Sequence, residues 1–368
     1  MRERCKAIGR LVSAACIIAG CQRPPEPKPT PLPTQRATET PVTTPTATLE
    51  QERIINEFLA SYRIWKISYL VPEGNELKVI QPENGGVTTS EGIAYGMILS
   101  VNTNEKKVFD KLWSFAKNHF NSNGLMSWKV EPNGQIPDPN SATDGDLDMA
   151  YSLIIADRQW GGYQDEAKTL LTNIMDHCVE QGTFVLKPGD GWGGSEVTNP
   201  SYFAPAYYQM FKDFTGDQRW DLVAQKSREI LDKINVNHVL FPDWTMAEGT
   251  PAQGQTYDYS YNAVRVPWRQ AQAHLWFGDQ HAFSQMQKVN TFFANIPIGA
   301  VVDGYSANGK VLGNNHNAAF VAPLAAISET FSDQDLAVGE LIRLGQENYY
   351  NDSLRLLAFL LLSEQMLH

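Results

Sequence analysis

The stretch ATDGDLDMAYSLIIA, residues 142–156, joins a cluster of carboxylates to a long apolar run. Its acids, Asp144, Asp146 and Asp148, occupy alternate positions, and the residues after them favour a helix that is apolar around its whole circumference. Such a helix is buried. Acids at a helix start can serve as caps, and a calcium-binding loop is a second possibility, but the later Gly and Glu of that loop are missing. Three clustered acids exceed what a cap needs, so they indicate a functional site where a buried helix begins.

Outside this stretch, the 3.6-residue period of apolar side chains recurs through most of residues 50–368. It predicts about a dozen helices, while the alternation typical of strands is scarce. The loops between the helices are rich in Gly, Asn, Pro and Trp. We therefore expect one large all-α domain over residues 50–368, with paired helices arranged in a ring.

The N-terminal segment predicts export. Residues 1–21 are typical of a signal peptide, because basic residues precede a short apolar run that ends in Ile18-Ala19-Gly20-Cys21. This ending resembles a bacterial lipobox, so we expect cleavage before Cys21 and lipid attachment to its thiol, with ordinary signal cleavage as the alternative. Residues 22–49 are rich in Pro and Thr and predict an extended linker. We expect a protein anchored to a membrane through Cys21, on its extracellular or periplasmic face.

Composition limits the partners. The formal net charge of -11 repels phosphate backbones, so we do not expect a nucleic acid partner. A neutral or cationic polymer remains compatible with this charge. Aromatic residues make up 11% of the chain, and their flat rings can stack on sugars, although a large aromatic core is the alternative. No Cys or His spacing suggests a metal site, and we expect neither a metal nor an organic cofactor, and a monomer.

Glu91 lies in Ser90-Glu91-Gly92, where Ser90 could cap another predicted helix. Few charges surround it in the sequence, and a carboxyl in apolar surroundings can stay protonated near neutral pH, as a general acid requires. The alternative is a first-turn Glu that complements the helix dipole. Glu91 is therefore a second candidate site residue.

Five segments, in this order, resemble glycoside hydrolase family 8: SEGIAYG at 90–96, NGLMSW at 123–128, residues 142–160, NPSYFAPAYY at 199–208 and RVPWR at 265–269. The resemblance implies an (α/α)6 barrel with a cleft across one end, and hydrolysis with inversion at the anomeric carbon. It implies an endo-acting enzyme that cleaves a β-1,4-linked polysaccharide. We favour cellulose or another β-glucan as the substrate, with chitosan and xylan as alternatives. A polysaccharide lyase would need a basic cleft, which the acidic chain disfavours.

The resemblance also implies roles for single residues. Glu91 is the expected general acid, Asp144 holds the sugar at the cleavage point in a distorted shape, and Tyr202 orients the attacking water. The residues expected to bind substrate are Tyr95, Trp128, Trp192, Arg265 and Trp268. For each Trp, packing in the core is the alternative to stacking on a sugar.

One position departs from the family pattern. In the cellulase-like branch the general base is an Asp three residues before Arg265, and here that position is Asn262. A neutral amide is a poor proton acceptor. We favour a base from another loop, with Asp258 preferred over Glu248 and Asp243 because of its position in the sequence. The alternatives are an impaired, glycan-binding lipoprotein or an introduced change.

Overall fold

A computed structural model describes residues 49–328 and 334–368. The predicted signal peptide, Cys21 and nearly all of the predicted linker lie outside the described residues. The described residues belong to one compact unit, Ala47–His368. Within them, no helix is both long and apolar enough to cross a membrane.

Twelve α-helices carry the fold of the described residues. They are α1 (Leu49–Tyr69), α2 (Ser90–Asn102), α3 (Lys106–Asn118), α4 (Thr143–Trp160), α5 (Gln164–His177), α6 (Pro205–Thr215), α7 (Arg219–Asn237), α8 (Arg265–Phe277), α9 (Gln280–Phe293), α10 (Ala318–Ser328), α11 (Gln334–Leu344) and α12 (Tyr349–Leu362). Three short two-stranded antiparallel sheets lie in the loops: β1 (Leu70–Glu73) with β2 (Glu76–Val79), β3 (Thr88–Thr89) with β4 (Lys129–Val130), and β5 (Asp258–Tyr259) with β6 (Tyr305–Ser306).

The helices form two concentric layers. Even-numbered helices contact one another in the order α2, α4, α6, α8, α10 and α12, and each also packs against at least one odd-numbered helix. The burial pattern explains this division. Every residue of α10 is buried, as is every residue of α4 from Thr143 to Ala156. In α5, by contrast, only one stripe that includes Leu170, Leu171 and Ile174 is buried. A helix that is apolar all round belongs inside, whereas an amphipathic helix can face water. The fold is an (α/α)6 barrel, as predicted.

The N-termini of α2 and α4 touch because Gly145 has no side chain. A Cβ atom on Gly145 would lie 2.7 Å from Ser90 Oγ and 3.0 Å from the backbone nitrogen of Glu91. The start of α2 is also fixed from the other side, where the amide of Ser90 donates to the carbonyl of Trp128 across 3.0 Å. The first turns of these two inner helices are therefore held side by side.

Candidate active site

The site lies where inner helices begin. Glu91 is in the first turn of α2, Asp144 in the first turn of α4, Arg265 opens α8 and Tyr349 opens α12. Each outer helix returns the chain, so the inner helices run in one direction and their N-termini gather at one end of the barrel. At α2 the cap is Thr89, whose side-chain oxygen accepts from the amide of Gly92 across 3.1 Å. This cap leaves the side chain of Glu91 free for other contacts.

One guanidinium joins three side chains of the site. Arg265 Nη1 donates to Glu91 Oε2 across 3.0 Å and to Asp144 Oδ2 across 2.6 Å. Its Nη2 donates to Asn262 Oδ1 across 2.9 Å. The side chains of Arg265 and Asp144 are only 3% and 4% exposed, while Glu91 is 18% exposed. Glu91 is therefore the carboxyl that this cluster presents to the outside.

The electrostatics of the cluster favour a protonated Glu91. Burial raises the pKa of Glu91 to about 7, against the opposing charge of Arg265. The neighbouring carboxylate of Asp144 adds to the rise, and a hydrogen bond from Tyr349 opposes it. A carboxyl with a pKa near 7 carries its proton through most of the mildly acidic range, so it can act as a general acid.

A second ion pair lies deeper in the barrel. Arg269 forms a bidentate pair with Asp148, with both N–O distances at 2.8 Å and both side chains 1% exposed. Its guanidinium also lies over the rings of Trp268 and Tyr207, at 4.7 Å and 5.1 Å from their centroids. This pair links α4 to α8 below the cluster around Arg265.

Two predicted substrate contacts need correction. Tyr95 is fully buried, and Trp268 is 3% exposed and stacked against Arg269. A ring without an open face cannot serve as a platform for a sugar, so both belong to the packed interior. Tyr95 lies one helical turn below Glu91, and Trp268 lies nearly one turn below Arg265, at depths where the inner helices face only one another.

The other predicted site residues lie closer to solvent. Trp128 and Trp192 are 37% and 38% exposed, and Trp192 packs against Trp244 with ring centroids 5.5 Å apart. Tyr202 ends the short 3-10 helix Pro200–Tyr202, and its ring lies under the guanidinium of Arg265 at 5.5 Å. Trp128 and Trp192 thus offer ring surfaces to a ligand, whereas Tyr202 belongs to the charged cluster.

A cavity of about 490 Å³ opens beside Glu91. Its walls come from Gln81 and the short helix Pro82–Asn84, from Glu91, from the segment between Tyr261 and Arg265, and from residues 348–351. This volume lies within the range of small-molecule sites. Asn262, which occupies the position of the family's general base, lines the same cavity as Glu91.

None of the three carboxylates predicted as a relocated base lines this cavity. Glu248 is fully exposed and forms an ion pair with Lys233 at 2.7 Å, which lowers its pKa. Asp258 belongs to strand β5, where it pairs with Ser306 of β6. Asp243 is buried, and its Oδ1 accepts from the amides of Asn262 and of the next residue, at 3.0 Å and 2.8 Å. Asp243 therefore holds the turn that carries Asn262.

Sequence reasoning missed several residues of the cavity wall. Glu83 is the one other carboxylate among the lining residues, and Tyr261, Tyr349 and Tyr350 also belong to the wall. Tyr261 is 41% exposed, and its hydroxyl donates to Asp303 Oδ2 across 3.1 Å. The sequence does contain a signal for Tyr349 and Tyr350. Polar residues directly before an apolar helix mark the positions of Glu91 and Asp144, and the start of α12 shows the same pattern.

An all-α barrel whose end carries a carboxyl protonated near neutral pH, beside a second carboxylate and an open cavity, has the apparatus of a glycoside hydrolase. The chain belongs to the glycosyl hydrolases family 8, whose family model matches residues 42–364. This membership confirms the resemblance inferred from the five segments.

Individual relatives agree with this assignment. The chain is 46% identical over 291 residues to endoglucanase A of Acetivibrio thermocellus, covering 74% of this chain and 61% of that relative. It is 42% identical over 323 residues to endoglucanase 2 of Ruminiclostridium josui, covering 83% and 70%. A solved β-1,3-1,4-glucanase from Paenibacillus sp. X4 shares the fold, with a TM-score of 0.79, 31% identity, and coverage of 86% and 93%. The chain thus spans about three fifths of the length of endoglucanase A.

The buried Asp148–Arg269 pair should contribute mainly to the stability of the fold, and little to the binding of a substrate. We expect Asp148→Asn to lower the free energy of unfolding by about 3–5 kcal/mol, because Arg269 would remain charged and buried without its partner. Asp144→Asn is the matched control, and it should cost less because Arg265 keeps Glu91. Urea unfolding of both variants measures the difference. Equal losses, or a smaller loss for Asp148→Asn, would contradict the expectation.

Proposed function

We propose that the chain is an endo-acting, inverting hydrolase of a β-1,4-linked glucan, with Glu91 as its general acid. The observation that carries the proposal is the partly buried Glu91 carboxyl, whose pKa is raised to about 7 and which lines an open cavity. Relatives named endoglucanase, at 46% and 42% identity, favour glucan over chitosan or xylan. The exposed rings of Trp128 and Trp192 suit a polymer that extends beyond one sugar.

The cluster gives each residue a role in this reaction. Glu91 donates its proton to the bridging oxygen as the bond to the leaving sugar breaks. Arg265 holds the carboxyls of Glu91 and Asp144 side by side. Asp144 binds the sugar at the cleavage point. Tyr202, under Arg265, borders the place from which water attacks. An inverting enzyme also needs a base about 6.5–9.5 Å from the acid to activate that water.

Asn262 supports a second candidate function, a glycan-binding protein with slow turnover. Asn262 accepts a hydrogen bond from Arg265 and faces the cavity, but its amide cannot take a proton from water. Asp258, Glu248 and Asp243 all lie off the cavity wall. The chain would then bind the glucan in the family's manner and cleave it slowly.

Loss of the acid should remove cleavage and keep the fold. We expect Glu91→Gln to lower kcat by about 10²–10⁴-fold, because an amide cannot donate the proton that the leaving oxygen needs. Release of reducing sugar from carboxymethyl cellulose, lichenan, chitosan and xylan measures both rate and preference. Calorimetry with a cello-oligosaccharide is the control for binding. A rate for Glu91→Gln close to that of the parent would refute the assignment of the acid.

Restoring a base should raise the rate. We expect Asn262→Asp to increase kcat on the preferred glucan by about 10²-fold or more, because a carboxylate beside Arg265 can accept the proton of the attacking water. Asn262→Ala is the control, since it removes the amide without supplying a base. Azide added to the parent should also accelerate consumption of the glucan, because an anion needs no base to attack. A fast parent with no gain in Asn262→Asp would show a base elsewhere, with Glu83 the first residue to test.

We also propose that the chain is exported and held at a membrane by lipid on Cys21, through an extended linker. The supporting pattern is the basic segment, the apolar run and the lipobox-like ending of residues 1–21. Cys21→Ser should abolish labelling by radioactive palmitate and release the protein from the membrane fraction. Cys178→Ser, which alters a buried thiol, is the control. Unlabelled parent protein would contradict the proposal.

A further inference from the structure

Tyr349 contacts the proposed acid directly. It is the first residue of α12, it is 1% exposed, and its hydroxyl donates to Glu91 Oε1 across 3.3 Å. The contact joins residues 258 positions apart in the chain and closes the ring of inner helices between α12 and α2. Gly92 provides the space for it, since a Cβ atom there would lie 3.2 Å from the Tyr349 hydroxyl oxygen.

Arg265 determines which oxygen of Glu91 carries the proton. Its Nη1 donates to Oε2, and a guanidinium has donors but no acceptor. The carbonyl oxygen of a protonated carboxyl is a better acceptor than its hydroxyl oxygen. The contact with Arg265 therefore favours Oε2 as the carbonyl oxygen and places the proton on Oε1. Oε1 is the oxygen that Tyr349 contacts. A phenol can both donate and accept, so it can bind Oε1 before and after the proton leaves.

We propose that Tyr349 is a positioning residue that holds Oε1, the proton-bearing oxygen of Glu91, at the cavity wall and eases its ionisation when the proton is transferred. This inference rests on the proposed role of Glu91 as the acid. It assigns Tyr349 a part in catalysis through Glu91, beyond its packing in the core.

The surroundings of Tyr349 fix its hydroxyl in place. Its ring makes an edge-to-face contact with Tyr69 at 5.8 Å, and the hydroxyl of Tyr69 donates to Asp352 Oδ2 across 2.7 Å. The backbone carbonyl of Tyr349 accepts from Ser353 Oγ across 2.6 Å. Ser353 Oγ in turn accepts from Trp65 Nε1 across 2.9 Å. Helix α1 thus supports the first turn of α12 from outside, and the phenol has little freedom to leave Glu91.

Several other groups act on the same carboxyl. The charged and titratable groups around Glu91 are Arg265 on α8, Asp144 and Asp148 on α4, Tyr350 on α12, Tyr202 before α6 and Tyr95 on α2 itself. Burial raises the pKa of Glu91, and Arg265 and the Tyr349 hydroxyl both lower it by stabilising the ionised form. Removing the hydroxyl should therefore raise this pKa further.

The test compares two identical substitutions at adjacent positions. Tyr349→Phe removes the hydroxyl on Glu91 and keeps the ring against Tyr69. Tyr350→Phe removes a hydroxyl that donates to the carbonyl of Tyr261 instead. Carbon-13 NMR of protein labelled at glutamate Cδ, with Glu91→Gln to assign the signal, gives the pKa of Glu91 without any need for turnover. Circular dichroism confirms that each variant is folded.

We expect Tyr349→Phe to raise the pKa of Glu91 by about 0.5 to 1, the effect of one modest hydrogen bond. Tyr350→Phe should move this pKa far less, because its hydroxyl donates to Tyr261 and not to Glu91. In Tyr349→Phe, the alkaline limb of the pH–rate profile should shift to higher pH by the same amount as the pKa of Glu91. An unchanged pKa in Tyr349→Phe, or an equal change in both variants, overturns the inference. If the pKa moves as expected but no variant, Asn262→Asp included, cleaves glucan, the tyrosine's influence stands and the proposed function fails.

Discussion

The arrangement of this site depends on the contact between one buried guanidinium and two carboxyls. Arg265 neutralises Asp144 and still donates to Glu91, so two acids can lie side by side at the end of the barrel. Without that charge, burying both would be prohibitive. With it, both side chains fit in the site while burial keeps the pKa of Glu91 high. Glu91 thus keeps, near neutral pH, the proton that acid catalysis requires.

The barrel supplies this contact through its topology. The inner helices begin at one end of the barrel. Because most of each inner helix is buried, polar groups reach the cavity from the first turns of these helices. Gly145 lets two of these starts touch, and the Asp148–Arg269 pair ties α4 to α8 beneath them. Asp243 fixes the turn before α8 and so places Asn262 next to Arg265. The outer helices add support, as α1 does for Tyr349.

The sequence was sufficient for the barrel, because helical periodicity and the resemblance to the family agree. Three residues that its motifs singled out, Glu91, Asp144 and Arg265, lie together in the structure. It failed at Tyr95 and Trp268, which lie in the same motifs but one turn further into buried helices. A helix that is apolar all round gives no sign of which face meets a ligand. Tyr349 was not predicted for another reason. Its contact with Glu91 forms only when α12 packs beside α2 in the folded ring, and the sequence does not show that packing.

If Glu91 is the general acid, its Oε1 meets the bridging oxygen of a bound glucan. A crystal structure of the chain with a cello-oligosaccharide tests this most directly, because the neutral Asn262 should slow cleavage enough to trap the intact ligand. We expect a glycosidic oxygen within about 2.6–3.2 Å of Oε1, with the adjoining sugar in contact with Asp144 and Arg265. An oligosaccharide bound elsewhere, or one whose bridging oxygen meets a different carboxyl, would contradict it.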